Sequence, residues 1–184
     1  MKSRRMFLLL VLLFFAPLLL SFALYYGLHW RPAGQTNHGT LIDPPRPLAL
    51  EGASAALGGK WSLVFVGAGD CDESCHATLY YMRQTFLGLC HLTGRVQQVF
   101  LVTRRCCERD FLQREHPGLS TLDCAALEPS QSAALLAQFP ADKRASSLFI
   151  VDPRGNLMMR YDAHADPKGL HDDLIKLLNL SHIG

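Results

Sequence analysis

KWSLVFVGAGDCDESCHATLYYMRQTFLGL, from Lys60 to Leu89, is the stretch on which the fold turns. Trp61, Leu63, Val64, Phe65 and Val66 make a short continuous apolar run closed by Gly67, the pattern of a strand buried on both faces. The loop GAGDCDESC follows at once. From about Glu73 to Leu89, the residues Leu79, Met82, Phe86 and Leu89 recur at helical spacing. Cys71 therefore falls at or just before a helix start, and Cys75 in its first turns.

Working toward the C-terminus, Val96 to Thr103 (VQQVFLVT) reads as a second buried strand. One intervening helix makes the two strands a right-handed parallel βαβ unit. Short helices are expected at Glu108 to Glu115 and Pro129 to Phe139. In SLFIVDPRGNLMMRYD, two apolar runs flank Asp152-Pro153-Arg154-Gly155-Asn156, a turn pre-set by Pro and Gly, so an antiparallel hairpin is predicted. Asp166-Pro167 opens a final helix with Leu170, Leu174, Leu177 and Leu178 on one side. The order is βαβ, helix, ββα: an α/β chain with a mixed, thioredoxin-like sheet flanked by helices over residues 60–184.

Toward the N-terminus, residues 29–59 carry a density of Pro and Gly that suits an extended tether, with a short edge strand available at Thr40 to Ile42 before the prolines stop pairing. Met6 to Leu28 holds no charged side chain and is long enough to cross a bilayer core of roughly 30 Å as a helix. It is read as an uncleaved anchor at 6–28. A cleavable signal peptide fits less well, because the apolar run exceeds an h-region of about 7 to 15 residues and no clean A-x-A site follows. Tyr25, Tyr26 and Trp30 supply an aromatic belt. Lys2, Arg4 and Arg5 precede the span and only Arg31 closely follows it, so residues 1–5 are expected in the cytoplasm and the domain in the periplasm or an equivalent outer space.

The net charge is +2, and beyond the first residues there is no Lys/Arg run, so the chain lacks the electrostatic footprint of a nucleic-acid binder. Export to an oxidising compartment lets its 6 cysteines, at 71, 75, 90, 106, 107 and 124, form lasting disulfides. Their pairing is open on sequence alone.

Unpaired N–H groups and the positive dipole end at a helix start favour a thiolate, which makes Cys71 a candidate nucleophile or soft-metal ligand. Cys75 is close enough to join it in a redox disulfide or to share one Cu(I) ion with it. Asp70, Asp72 and Glu73 oppose negative charge on sulfur and tilt the pair away from a strongly oxidising dithiol. A plain disulfide that staples the loop is the competing reading.

GKWSLVFVGAGDCDESC followed by LYYMRQT resembles the Sco/SenC family of copper-binding cytochrome oxidase assembly proteins, whose mark is a buried strand running into CxxxC. FIVDPRGNLMMRY is similar to the strand and turn after that family's metal site, and a single N-terminal anchor is usual there. The resemblance implies a thioredoxin-like fold and Cys71 and Cys75 as the redox pair and copper ligands. It further implies a membrane setting and a copper-bearing subunit of cytochrome c oxidase as partner. The family's third ligand, a His before the DPxG turn, is missing: ADKRASSLFIVDP places Lys143, Arg144 and Ala145 there. Asp72 stands where a proline usually follows the first cysteine. Two-sulfur Cu(I) binding or dithiol redox chemistry is what these residues leave. General thiol-disulfide exchange and a non-catalytic, disulfide-stapled interaction domain are the alternatives.

Cys106 and Cys107 are adjacent at a strand end, too tight for easy mutual bonding, and one of them is expected to reach Cys124 as a structural disulfide. A second metal site there lacks the paired CxxC spacing of structural zinc. Cys90 reads as a small buried hydrophobe. His76 is expected to face solvent, and His116 and His164 to be surface residues; His29 and His38 belong to no constellation.

Overall fold

The computed structural model describes residues 2–27, 36–48, 57–104, 107–163 and 166–184. Expectations that fall on His29, Trp30, Cys106 and His164 lie outside these residues. The chain divides into two compact units, residues 1–36 and 37–184. In the first, helix α1 (Lys2–Phe22) runs into a π-helical turn (Ala23–Gly27). Together they hold a 24-residue apolar stretch, Arg4–Gly27, long enough to cross a membrane.

The second unit is a six-stranded sheet in the order β1-β6-β5-β2-β3-β4. Its strands are β1 (Thr40–Pro47), β2 (Trp61–Gly67), β3 (Val96–Val102), β4 (Leu119–Asp123), β5 (Ser147–Val151) and β6 (Asn156–Asp162). Strands β2, β3 and β4 run parallel, while β5 pairs antiparallel with both β2 and β6, and β1 pairs antiparallel with β6. The helices are α2 (Glu73–Gly88), α3 (Arg109–Glu115), α4 (Pro129–Ala137) and α5 (Pro167–Leu180).

Alternate residues of the central strands enter two cores. Leu63, Phe65, Phe100 and Ile150 meet Leu79 and Met82 of α2 and Leu170, Leu174 and Leu178 of α5. Val64, Val66, Val99, Leu101 and Phe149 face Leu135 and Phe139 at α4. Both sheet faces are thus covered, which is why β2 reads as an unbroken apolar run rather than an alternating one.

The hairpin turn is held by Asp152, whose Oδ1 accepts from the Arg154 and Asn156 backbone N–H groups at 2.9 and 2.7 Å. Gly155 takes φ 84°, a value that disfavours a Cβ. At the same end of the domain, the Arg95 guanidinium donates to the carbonyls of Leu178 in α5 and of Ser181, Ile183 and Gly184 beyond it, satisfying acceptors at and after the helix end.

Several expectations change. The edge strand does not stop at Ile42: its register with β6 shifts between Leu41 and Arg46, and pairing resumes at Arg46. An edge strand tolerates prolines through such an irregularity because one side needs no partner. The packed unit accordingly begins at Asn37, well before residue 60. Strand β4 was not anticipated, since LSTLD is short and only partly buried. Cys90 is exposed, at φ 50° after the end of α2, because the chain turns there rather than continuing into the core. Cys124 is a buried free thiol, so the expected staple from Cys106 or Cys107 to it is not formed; Cys107 is disulfide-bonded elsewhere. Burial raises the pKa of the Cys124 thiol, which sits as a small hydrophobe among Val99, Leu101 and Leu135.

Candidate functional site

Strand β2 ends at a loop that is tied to its neighbour. The Gly67 carbonyl accepts from the Thr103 N–H at 2.8 Å, and the Gly69 N–H donates to the Arg104 carbonyl at 2.8 Å. The loop then passes through Cys71 into α2. Asp72 is the N-cap, with extended backbone and a carboxylate that accepts from the Cys75 N–H at 2.9 Å. The first intrahelical bond follows, from the His76 N–H to the Asp72 carbonyl at 2.9 Å.

Cys71 therefore lies just outside the helix and Cys75 in its first turn. They form a disulfide with Cα atoms 5.3 Å apart. Cys71 is half-buried, whereas Cys75 is 7% exposed. Of the two sulfur-bearing residues, Cys71 is the more exposed. The capping carboxylate of Asp72 thus occupies the Cys75 backbone N–H. An Asp one residue after a cysteine and just before a helical pattern was the legible signal for this cap.

His76 is not simply solvent-facing. Its Nε2 donates to the Cys71 carbonyl at 3.0 Å, its ring lies 4.2 Å from that of Phe111, and Glu108 Oε2 is 3.8 Å from Nε2. The reason is that α3 packs beside the start of α2, which the sequence periodicity of either helix does not reveal. His116, expected on the surface, is 6% exposed, and its Nδ1 has no hydrogen-bond partner among the described residues. Burial lowers its pKa, with Arg83 and His76 acting in the same direction and Glu115 opposing them.

A cleft of about 550 Å³ runs beside Cys75, lined among others by Phe65, Asp72, Arg104, Arg144 and Ala145. Arg144 enters it from the segment where the histidine was missing. Its guanidinium donates to the carbonyls of Leu136 and Phe139. A guanidinium has no lone pair to offer a metal and repels a cation. Among the described residues no three of the types His, Cys, Asp and Glu come together as a metal-binding group. The residues present do not fit a three-ligand copper site; what they provide is two sulfurs.

A family profile described as "Transmembrane-like, thioredoxin-like, C-terminal domain" matches residues 61–181. No curated protein matches the chain in sequence. Among solved structures, apo Sco1 from Thermus thermophilus is similar at TM-score 0.54 and 21% identity, covering 80% of this chain and 98% of that one. Yeast Sco1 with copper bound has TM-score 0.58 and 16% identity, covering 80% and 96%. BsSco, described as a Sco-family cytochrome c oxidase assembly protein with a disulfide switch, has TM-score 0.50 and 14% identity, covering 79% and 95%. At these identities the likeness shows a common fold: the domain is a divergent thioredoxin-type sheet of the Sco form.

Proposed function

We propose a function from one premise: the chain belongs to the transmembrane-like, thioredoxin-like C-terminal domain family, matched over residues 61–181. The reading is a membrane-anchored, Sco-like thiol protein that assists assembly of the copper site of cytochrome c oxidase through dithiol redox chemistry at Cys71 and Cys75. The observation that carries it is the Cys71–Cys75 disulfide at the start of α2, with Cys71 half-buried and Cys75 buried beside a cleft. Support for the oxidase setting comes from the Sco form of the fold, since BsSco is described as an assembly protein for that enzyme.

In the working direction the reduced pair is the donor. The Cys71 thiolate attacks a client disulfide, forming a mixed disulfide and releasing one client thiolate. Cys75 then attacks Cys71 Sγ, restores the intramolecular disulfide and frees the second client thiol. Two electrons pass to the client, and the two protons of Cys71 and Cys75 end on its thiols. An external thiol reductant must recharge the pair.

In this reading residues 6–28 are the anchor, 1–5 lie in the cytoplasm, and the packed unit that begins at Asn37 is the exported domain. Arg4 and Arg5 on the N-terminal flank support that orientation.

The test equilibrates the full-length chain in detergent with thiol-disulfide buffers, reads the pair by alkylation, and adds Cu(I) to the reduced protein. A potential between about −180 and −270 mV supports exchange, and one below about −300 mV marks a structural staple and overturns the reading. Reduction of a disulfide in a soluble copper-binding oxidase domain falls to background in Cys71→Ser. Equal reduction of unrelated disulfide proteins would point instead to a general oxidoreductase. Cu(I) uptake that vanishes in the Cys71→Ser, Cys75→Ser variant would assign metal carriage to the same two sulfurs.

A further inference from the structure

A second disulfide lies one loop from the first. Strands β2 and β3 are parallel neighbours in register through Gly67 and Val102, and beyond them the two loops remain joined by the Thr103 to Gly67 and Gly69 to Arg104 hydrogen bonds, each 2.8 Å. Cys71 follows shortly after Gly69, and Cys107 shortly after Arg104. Cys107 is half-buried, disulfide-bonded, and packed against the same core cluster as Cys71.

One imidazole reaches both loops. His76 Nε2 is 3.0 Å from the Cys71 carbonyl oxygen and 3.8 Å from the carboxylate of Glu108, the residue after Cys107. On its other side Cys107 borders a cavity of about 610 Å³, also lined by Leu112, His116 and Asp123. His116, 6% exposed there, keeps an unpaired Nδ1, a polar contact unmet within the described residues. A disulfide that only stapled this loop would need neither the neighbouring redox pair nor an open cavity beside it.

We propose that the disulfide at Cys107 is a second redox centre that exchanges electrons with the Cys71/Cys75 pair. The inference rests on the redox reading above and extends it to a relay within one chain. The Cys71 thiolate of the reduced pair attacks Cys107 Sγ, and the former partner sulfur of Cys107 leaves as a thiolate. Cys75 attacks Cys71 Sγ and displaces Cys107. The pair ends oxidised, Cys107 and its former partner end as thiols, and the two protons released by Cys71 and Cys75 are taken up by those thiols. Run in reverse, the same steps recharge the pair from Cys107.

The test uses the full-length chain in detergent carrying Cys75→Ser and Cys106→Ser, which removes the cysteine nearest in sequence to each of Cys71 and Cys107 and so leaves neither of these sulfurs to resolve a trapped linkage. The reduced protein is oxidised with glutathione disulfide, acid-quenched, alkylated and digested with trypsin. The relay links peptide 61–83, which holds Cys71, to peptide 106–109, which holds Cys107, in most molecules, while Cys90 and Cys124 stay unlinked. Adding Cys107→Ser abolishes the linkage. No linked pair, but a glutathione adduct on Cys71, overturns the relay and leaves the function proposed for the first pair standing. No linked pair and no adduct on Cys71 overturns both.

Discussion

The Tyr161 hydroxyl donates to Asp173 Oδ2 at 2.7 Å, joining β6 to α5 inside the protein. The same oxygen accepts from the backbone N–H groups of His38 and Gly39 at 2.7 and 3.1 Å, so one buried carboxylate fastens the start of the packed unit to its last helix. A Cβ at Gly39 would collide with the Tyr161 ring. Burial and the bond to Asp173 raise the pKa of the Tyr161 hydroxyl, keeping it the donor throughout the physiological range.

Asp173→Ala leaves those three donors without their acceptor. The expected loss is roughly 3 kcal/mol, because unsatisfied buried donors add to the lost charge-assisted bonds. Tyr161→Phe, which leaves Asp173 its two backbone donors, is expected to lose about 1 kcal/mol. Thermal unfolding of both variants checks the ranking, and equal losses would contradict it. Limited proteolysis of Asp173→Ala is expected to cut first near residues 37–47.

The reduced Cys71/Cys75 pair should react unevenly. With Cys71 half-buried and Cys75 7% exposed, iodoacetamide is expected to modify Cys71 roughly tenfold faster or more. Alkylation followed by peptide mapping reads the ratio. Equal rates would show that the helix start opens on reduction.

Arg144→Ala removes the guanidinium that donates to the Leu136 and Phe139 carbonyls at the end of α4. A loss of about 1 to 2 kcal/mol is expected from denaturant unfolding, with the midpoint falling and the slope unchanged. The alkylation rate of Cys71 should stay as in the parent, since Arg144 borders the cleft on the Cys75 side.

His116 predicts a pH dependence of stability. Its folded pKa is lowered by burial, and by Arg83 and His76 against the opposing Glu115, so the unfolded chain binds a proton more readily. The contribution is complete above the ordinary value near 6.5 and is lost as pH falls below it toward the folded value. Melting temperatures between pH 7.5 and 5 should fall with acid, and His116→Leu should flatten that slope. An unchanged slope in the variant would show that other groups carry it.

Much of this domain is legible in its sequence. The apolar run at Trp61 to Val66, the Leu spacing in α5 and the DPRGN turn are local patterns, and local patterns dictate element type. The CxxxC pair was legible because a cysteine loop between strand and helix is itself local. Long-range packing was not: β4 has too few apolar side chains to announce itself, and β1 recovers its register only because β6 supplies a template.

The sequence by itself therefore determined the strand-loop-helix that presents Cys71 and Cys75, the apolar helix ahead of the domain, and the lack of a histidine where a third copper ligand was expected. Only the tertiary structure decided that Arg144 borders the cleft beside Cys75, that Cys124 stays a free thiol, and that His76 and His116 both meet Phe111. The physical reason is the same in each case: whether a polar side chain or a sulfur finds a partner depends on which surfaces meet, and hydrophobic periodicity records only which face of an element is buried.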